Sequence, residues 1–154
     1  MTDDSVHVLL VASGGGHLAQ LLALRPWWQE RHRTWVTSDN ADTRSQLEGE
    51  VVIHAFFPTT RNVKNLLRNS WLAFRTIPVV RPDLVVSTGA AVAVPFFLIA
   101  RSLRIPTVFI EVFDRIESRT LTGRLCYPIA DVFMVQWDEQ QKLYPRAHVV
   151  GALM

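Results

Sequence analysis

The amino-acid sequence predicts an α/β protein built on a Rossmann-like parallel sheet, as one domain spanning residues 1–154. Short apolar runs rich in valine, isoleucine and phenylalanine recur along the chain, and stretches with helical periodicity separate them. The runs are mostly continuous rather than alternating, which is typical of strands buried on both faces of a parallel sheet. A hydrophobic fraction of 49% and a charged fraction of 19% are those of a globular domain with a substantial core.

The first half of the chain alternates strands with helices. The pattern predicts strand 6–12, helix 17–25, strand 34–38, a short helix near 43–47 and strand 51–56. Leucines 18, 21 and 22 lie on one side of the first helix, and Pro26 ends or bends it. Trp27, Trp28 and Trp35 cluster in this region, and we expect them in the core rather than in a site.

The second half continues the alternation. The pattern predicts helix 62–77, strand 84–87, helix 91–103 and then strands 107–111, 132–136 and 148–150. Helix 91–103 is apolar nearly all round and has Pro95 inside it or in its first turn. One interpretation is a buried helix, and the other is that Phe96, Phe97 and Leu98 meet a lipid tail or a partner subunit. The sequence leaves both open.

Cysteine usage and hydropathy exclude several classes of protein. The single Cys126 excludes a disulfide framework and a multi-cysteine metal site, and it fits a reducing cytoplasm. Residues 1–5 carry two aspartates and no cation, so they do not resemble a signal peptide. The longest apolar run, residues 89–100, is shorter than the roughly 18–20 residues that span a bilayer. We therefore expect a soluble or peripheral protein rather than an integral membrane protein.

The charge is unevenly distributed along the chain. Residues 60–104 contain seven cations and one acid, whereas the rest contains nine cations and 13 acids. Net charges of +6 and −4 in these two parts predict a surface that meets an anionic partner. Nucleic acid, anionic lipid and a phosphorylated substrate all have the required charge.

Helix 62–77 carries much of this positive charge. One apolar face is formed by Val63, Leu66, Leu67, Ser70, Phe74 and Ile77. The opposite face carries Lys64, Arg68 and Arg75 together with Trp71, which core burial does not explain. Because tryptophan among cations is typical of an interfacial membrane contact, we predict that these four residues contact the membrane. Nucleic acid fits less well, since no recognised motif accompanies the charge.

The predicted binding crevice lies beyond the carboxyl ends of the strands, where ligands bind in such sheets. The segments there are 13–17, 38–40, 58–60, 87–89, 111–114 and 136–138. They are enriched in hydroxyls, glycine and carboxylates, as a polar binding crevice should be.

The glycine loop after the first strand is the sharpest local feature. Glycines 14, 15 and 16 at a strand-to-helix turn allow a ligand to approach the backbone, and the following helix N-terminus favours an anion such as a diphosphate. The loop lacks the lysine of a Walker motif. It does match G-x-G-x-x-A, ending at Ala19, with Asp39 available as a ribose ligand, so a dinucleotide-binding module or oxidoreductase stays an alternative.

His17 follows the glycines in the first turn of that helix. A neutral imidazole there can donate to a phosphate or accept the proton of a sugar hydroxyl. A local packing or capping role is the alternative. The other four histidines have no metal-ligand spacing, so we expect them to be structural and expect no metal site.

Several motifs, in order along nearly the whole chain, resemble one family. They are 8–18 (VLLVASGGGHL), 82–89 (PDLVVSTG), 111–115 (EVFDR), 121–125 (LTGRL), 127–131 (YPIAD), 135–137 (VQW), 144–145 (YP) and 150–154 (VGALM). The sequence is thereby identified as similar to the acceptor subunit of the dolichol-linked N-acetylglucosamine transferase. It equally resembles bacterial accessory subunits of capsule and exopolysaccharide glycosyltransferases.

The resemblance implies the N-terminal half of a GT-B glycosyltransferase that is a hexosyltransferase subunit and inactive by itself. A separate small subunit would supply most of the nucleotide-sugar site, and sugar transfer would be inverting, without a required metal or cofactor. This subunit would bind a polyprenyl-diphosphate-linked acceptor at the cytoplasmic face of the membrane, and no nucleic acid. Two departures from the family pattern are Cys126, where aliphatic residues are usual, and Asp138-Glu139 in place of Pro-Glu.

The resemblance and the residues together give the expected site. The acceptor diphosphate or its sugar is expected to contact Ser13, Gly14, Gly15, Gly16, Ser87, Thr88 and Gly89. His17 is the first candidate for the catalytic base and Glu111 the second, although Glu111 could instead pair with Arg115 or cap the next helix. Asp114 and Arg115 are expected to contact the partner or its nucleotide. A non-catalytic membrane scaffold stays a further alternative.

Overall fold

The structure, a computed structural model that describes residues 6–153, contains one seven-stranded sheet in which every neighbouring pair of strands is parallel. The strands are β1 (His7–Val11), β2 (His32–Thr37), β3 (Val52–His54), β4 (Leu84–Ser87), β5 (Thr107–Ile110), β6 (Val132–Val135) and β7 (His148–Val149). Their order across the sheet is β3-β2-β1-β4-β5-β6-β7. The predicted α/β class and the Rossmann-like parallel sheet are confirmed.

Helices connect the strands. They are α1 (Gly16–Ala23), α2 (Arg25–Trp28), α3 (Ala41–Gln46), α4 (Val63–Val80), α5 (Ala93–Ser102), α6 (Leu121–Cys126) and α7 (Asp138–Leu143). Of the four helices with four to six residues, only α3 was predicted; α2, α6 and α7 were not, because so few residues rarely show a helical period. Helix α4 also runs three residues past the predicted end, and Pro78 lies exposed within it.

Two apolar layers cover the two faces of the sheet. In β1, Leu9 and Val11 belong to one layer and Val8 and Leu10 to the other, since successive side chains of a strand point to opposite faces. The first layer includes buried residues of α4, α5 and α6, and the second includes buried residues of α1 and α2 together with Leu47, which directly follows α3. Trp28 and Trp35 are buried in the second layer, as predicted, and Trp27 packs half-buried against it.

Helix α5 is the buried helix of the two interpretations. Phe96 and Phe97 are both 0% exposed, and Pro95 lies in the first turn of the helix. The interpretation that these two phenylalanines meet lipid or a partner is therefore wrong, because both pack in the apolar layer beside Phe109. Only Leu98 of the three-residue segment is exposed.

Helix α4 faces the core with a different side from the one its apolar periodicity predicts. Four residues of the predicted apolar face are 42–70% exposed: Val63, Leu66, Leu67 and Phe74. The buried residues are Asn65, Asn69, Ala73, Thr76 and Ile77. The helix therefore presents much of its apolar surface to solvent.

Buried asparagines explain this orientation of α4. The side chain of Asn69 accepts a hydrogen bond from the backbone N–H of Phe56 (2.8 Å) and donates one to its carbonyl oxygen (2.9 Å). Asn65 donates to the carbonyl oxygen of Pro58 (2.9 Å). These bonds satisfy the backbone of the segment after β3, which would otherwise be buried without partners. The polar side of α4 is thus the side that this segment requires.

The topology places a crevice between the loops that follow β1 and β4. From β1 the chain adds β2 and β3 on one side, then returns to add β4 on the other side of β1. The loops after β1 and β4 consequently leave the sheet in opposite directions, and such a switch point is where ligands bind in open parallel sheets. The glycine loop and residues 87–89 lie at this point.

Candidate functional site

A crevice of about 550 Å³ opens at the switch point. Its lining includes predicted segments after β1, β3 and β4, represented by Ser13, His17, Pro58, Thr59, Thr60 and Gly89. It also includes residues that the sequence analysis missed, among them Phe57, Arg61 and residues 120–122. Arg61 could have been found as part of the basic region before α4. Residues 120–122 could not, since they lie ten residues beyond the end of β5.

The glycine loop lies beside the crevice, between Ser13 and His17, which line it, and the loop is open to solvent. Gly15 and Gly16 are exposed, and Gly15 has φ 72°, a conformation that glycine adopts without strain. Gly14 lies against β2 instead, where its N–H donates to Oγ of Ser38 (3.2 Å). A Cβ at position 14 would lie 2.9 Å from that oxygen, so only glycine fits. The free N–H groups of the first turn of α1 remain available to an anion.

His17 is held in one orientation by residues after β4. Its Nδ1 lies 2.9 Å from the carbonyl oxygen of Thr88, and the Thr88 hydroxyl donates to the carbonyl oxygen of His17 (2.6 Å). Because a carbonyl oxygen can only accept, Nδ1 carries the proton and Nε2 has the free lone pair. His17 is half-buried and lines the crevice. This is the geometry of a general base whose tautomer is fixed by its second nitrogen.

Ser87 and Thr88 differ from the prediction that they bind the acceptor directly. Both side chains are buried, and the Ser87 hydroxyl accepts a hydrogen bond from the N–H of Gly89 (3.0 Å) while Thr88 binds His17. They shape the crevice, and Gly89 is the residue of this segment that lines it. Gly89 has φ 121°, and a Cβ there would lie 2.8 Å from Cε1 of His17.

Glu111 lies inside the protein, at the end of β5. It is 1% exposed, and its carboxylate accepts hydrogen bonds from the hydroxyls of Tyr144 (2.5 Å) and Thr120 (3.0 Å) and from the N–H of Val112 (3.1 Å). A base must reach the proton it removes, so this burial argues against Glu111 as the base. Nor does it pair with Arg115. Thr120 caps α6 by accepting from the N–H of Gly123 (2.8 Å), so Glu111 orients the cap.

Burial and the Glu111 carboxylate also set the chemistry of neighbouring groups. Burial, together with the hydrogen bond to Glu111, raises the pKa of Tyr144, which therefore stays a neutral donor. Burial likewise raises the pKa of the Cys126 thiol to about 12. A side chain at Gly123 would collide with Glu111 and Tyr144, so the α6 start is packed to contact around this carboxylate.

Side chains at the start of α7 hold the loop between β5 and α6 by hydrogen bonds to its backbone. Gln140 donates to the carbonyl oxygens of Val112 (2.7 Å) and Arg115 (3.2 Å), and the indole N–H of Trp137 donates to that of Phe113 (2.7 Å). The side chains of Asp114 and Arg115 are exposed on this fixed loop. Their predicted contact with a partner stays a prediction.

The exposed surface of α4 combines apolar and basic side chains, and we call it the α4 outer face. Its apolar members are Val63, Leu66, Leu67, Trp71, Phe74 and Val79, and its cations are Lys64, Arg68 and Arg75. Trp71 is 60% exposed and stacks on Phe74 with ring centroids 5.7 Å apart, so the prediction that it lies outside the core is confirmed. Within residues 6–153, none of the three cations has a carboxylate within 4.0 Å.

The opposite layer leaves an apolar groove of about 360 Å³ over the middle of the sheet. It is lined by Leu24, Trp27, Leu84, Val86, Val108, Ile110, Met134, Val150 and Leu153. The sheet residues come from β4, β5 and β6, and Leu24 and Trp27, at α2, form another part of the wall. Val86 and Ile110 are buried at its floor, whereas Leu84, Val108 and Met134 are half-buried. A partly open apolar groove of this kind is typical of an interaction surface.

Comparison with known proteins identifies the family. The family described as "Oligosaccharide biosynthesis protein Alg14 like" matches residues 8–153. The chain belongs to this family. The resemblance stated from the motifs is thereby confirmed.

Curated relatives and solved structures agree with this membership. UDP-N-acetylglucosamine transferase subunit ALG14 of Homo sapiens is 25% identical over 98% of this chain and 84% of its own length. The Schizosaccharomyces pombe subunit is 24% identical over 94% and 82%. The structure of Acinetobacter baumannii MurG matches with a TM-score of 0.73 at 22% identity, over 87% of this chain and 42% of MurG. UDP-N-acetylglucosamine 2-epimerase from Rickettsia bellii matches with a TM-score of 0.76 at 12% identity, over 97% and 46%.

These structural matches concern the fold and its extent. The chain spans less than half the length of either solved structure, so it corresponds to one part of each. Within residues 6–153, no helix combines the length and the hydropathy needed to cross a bilayer.

Proposed function

We propose that this chain is the acceptor-binding subunit of an inverting glycosyltransferase, which moves a sugar from a nucleotide sugar to a polyprenyl-diphosphate-linked acceptor. The observation that carries the proposal is His17, oriented by Thr88 with a free Nε2, beside an exposed glycine loop in an open crevice. Membership of the Alg14-like family and relatives named as UDP-N-acetylglucosamine transferase subunits support it.

The glycine loop is the proposed site for the acceptor diphosphate. Exposed Gly15 and Gly16 allow phosphate oxygens to reach backbone N–H groups at the positive end of α1. Arg61 lines the adjacent crevice and adds a cation that suits a diphosphate. Ser13 and Gly89 complete the wall, and Gly14, Ser87 and Thr88 hold the wall in place.

His17 is the proposed base. Its Nε2 takes the proton from the acceptor hydroxyl as that oxygen forms a bond to the anomeric carbon of the donor. The bond from this carbon to the nucleoside diphosphate breaks, and the electron pair leaves with the phosphate. The hydrogen bond from Nδ1–H to Thr88 stabilises the imidazolium that results. Since the nucleotide sugar is a co-substrate, this chemistry uses no resident cofactor of the chain.

A second polypeptide is proposed to bind the donor. The chain spans 42% of MurG, so a complete enzyme of that fold needs another half. The apolar groove over β4, β5 and β6 is the surface that such a partner would cover, since it is open and lined by apolar side chains. Asp114 and Arg115, exposed on their anchored loop, are the proposed contacts to the partner or its nucleotide.

The α4 outer face is proposed to lie on the cytoplasmic face of the plasma membrane. Its apolar side chains would enter the interface while Lys64, Arg68 and Arg75 meet anionic headgroups, at about 1 kcal/mol for each cation. A groove of about 400 Å³ between α4 and β3, lined by Arg68, Trp71 and Arg75, offers room for a headgroup.

Replacement of His17 tests the base. His17→Ala, co-expressed with its partner, should lose transfer from a labelled nucleotide sugar by about 100-fold or more while the complex still co-purifies. His54→Ala is the matched control, because His54 is an exposed histidine outside the crevice. Undiminished turnover in His17→Ala would remove the base assignment, and efficient transfer by the chain alone would contradict the two-subunit proposal.

Vesicle sedimentation tests the membrane surface. Arg68→Ala, Trp71→Ala and Arg75→Ala together should move the protein from anionic vesicles to the supernatant, because they remove two cations and the most exposed aromatic ring of α4. The control removes the same residue types elsewhere, as Trp27→Ala, Arg101→Ala and Arg104→Ala. Equal sedimentation of both triple variants would exclude α4 as the membrane contact.

A further inference from the structure

A chain of buried amide hydrogen bonds connects the C-terminal segment to the glycine loop. The N–H of Leu153 donates to Oε1 of Gln136 (3.0 Å), Nε2 of Gln136 donates to Oε1 of Gln20, and Nε2 of Gln20 donates to the carbonyl oxygen of Gly16 (3.4 Å). Gln136 and Gln20 are each 1% exposed. Nε2 of Gln136 also donates to the carbonyl oxygen of Glu111 (3.0 Å), where the loop to α6 begins.

The backbone groups at the two ends of this series fix which atom donates and which accepts in every hydrogen bond. A backbone N–H can only donate, so the Gln136 atom that faces Leu153 is the oxygen, and its nitrogen faces Gln20. The carbonyl of Glu111 can only accept, which requires the same orientation of Gln136. Gln20 must then turn its oxygen to Gln136 and its nitrogen to the carbonyl of Gly16. No member can rotate without leaving buried polar atoms unpaired.

The two ends of this series of hydrogen bonds, Gly16 and Leu153, lie at the two surfaces that the proposed function uses. Gly16 belongs to the glycine loop, one residue before His17, whereas Leu153 lines the apolar groove over the sheet. Between them, Gln136 at the end of β6 touches both α1 and the loop after β5, which form parts of the crevice. A shift of the C-terminal segment therefore has a continuous hydrogen-bonded route to the site.

We propose that Gln136 is a positioning residue that couples the seating of residues 150–153 in the apolar groove to the geometry of the glycine loop. Where a second polypeptide covers this groove, it fixes Leu153, and through Gln136 and Gln20 it orders the loop that receives the diphosphate. This deepens the proposed function and rests on it for the identity of the ligand, but the coupling itself is a property of this chain alone.

Two variants break the chain of bonds at different points. In Gln136→Met the side chain keeps nearly the same length but lacks the amide, so the hydrogen bonds to Leu153, Gln20 and Glu111 are all lost. Leu153→Pro removes the N–H that starts this series of bonds, fixes φ at that position and puts a smaller apolar ring in the groove. Their controls are Gln141→Met, whose amide binds only the carbonyl of Ala147, and Ala152→Pro, the neighbouring position.

Two readouts test the coupling on the isolated, full-length chain. Amide order parameters from ¹⁵N relaxation should fall at Gly15, Gly16 and His17, from about 0.85 toward about 0.6, in both variants and in neither control. Binding of farnesyl diphosphate, a short soluble prenyl diphosphate, should weaken by roughly ten-fold, because a loosened glycine loop must be ordered when the ligand binds, which costs free energy that the ordered loop does not.

The outcomes separate this inference from the proposed function. Unchanged order parameters in the glycine loop of both variants would overturn the coupling, whatever the ligand does. Loss of order throughout the chain would also overturn it, because a general structural role would then suffice. If the wild-type chain binds no prenyl diphosphate while the loop still loosens in both variants, the coupling stands and the proposed ligand is wrong.

Discussion

Gly89→Ala is the sharpest test of how the crevice holds His17. The substituted Cβ would lie 2.8 Å from Cε1 and 2.9 Å from Nδ1 of the imidazole, closer than side chains approach one another in folded proteins. The ring must therefore retreat by roughly half an ångström, and its 2.9 Å hydrogen bond to the Thr88 carbonyl oxygen lengthens. The backbone at φ 121° adds strain of about 1–3 kcal/mol.

We expect this substitution to lower transfer by the assembled enzyme by about 100-fold, because a misplaced base loses much of its contribution. Turnover with a labelled nucleotide sugar measures this, and urea unfolding measures the strain. Gly49→Ala is the matched control, since Gly49 has φ 82° and no atom within 4 Å of the added Cβ. It should show a similar loss of stability with full turnover. Equal turnover in both variants would refute the argument that the position of His17 matters.

Three further predictions concern buried groups. Tyr144→Phe removes a donor from the buried Glu111 carboxylate and should lower the free energy of unfolding by about 2 kcal/mol in urea titrations. Since the pKa of Tyr144 is raised in the folded state, the wild type should lose stability as the pH rises above about 10, and Tyr144→Phe should lack this loss. The Cys126 thiol, with a pKa of about 12, should react with a maleimide at pH 8 only after unfolding. Asn69→Leu orphans the backbone N–H and C=O of Phe56 and should destabilise by about 3 kcal/mol, whereas near-wild-type stability would contradict the role given to Asn69.

The sheet was predictable because its signal is local. A continuous apolar run such as 107–110 indicates a strand buried on both faces, and glycines directly after such a run indicate a strand-to-helix turn. Because parallel strands end at one edge, the sequence also placed His17 and Gly89 near one another without knowing the sheet order. Their contact, with Nδ1 of His17 on the Thr88 carbonyl, depends on a backbone conformation that no side-chain pattern specifies.

The errors concerning α4 and Glu111 share one physical cause, which is that polar side chains are buried where another segment needs hydrogen bonds. Helix α4 turns Asn65 and Asn69 inward because the chain after β3 lacks ladder partners, and this outweighs the apolar periodicity. Glu111 looked like a catalytic carboxylate because its partner Tyr144 is 33 residues away. Hydropathy alone cannot distinguish a carboxylate that faces a crevice from one that holds the cap of α6.

The orientation of helix α4 connects the proposed membrane surface with the crevice. Arg61, just before the helix, lines the crevice, and exposed apolar residues follow from Val63 in the first turn to Val79 in the last. An 18-residue helix is about 27 Å long, so the α4 outer face extends over about that distance from Arg61. If this face lies along the membrane surface, the crevice opens at the level of the headgroups. A diphosphate carried on a lipid would then reach the glycine loop without leaving the bilayer interface, which a helix with its apolar side inward could not achieve.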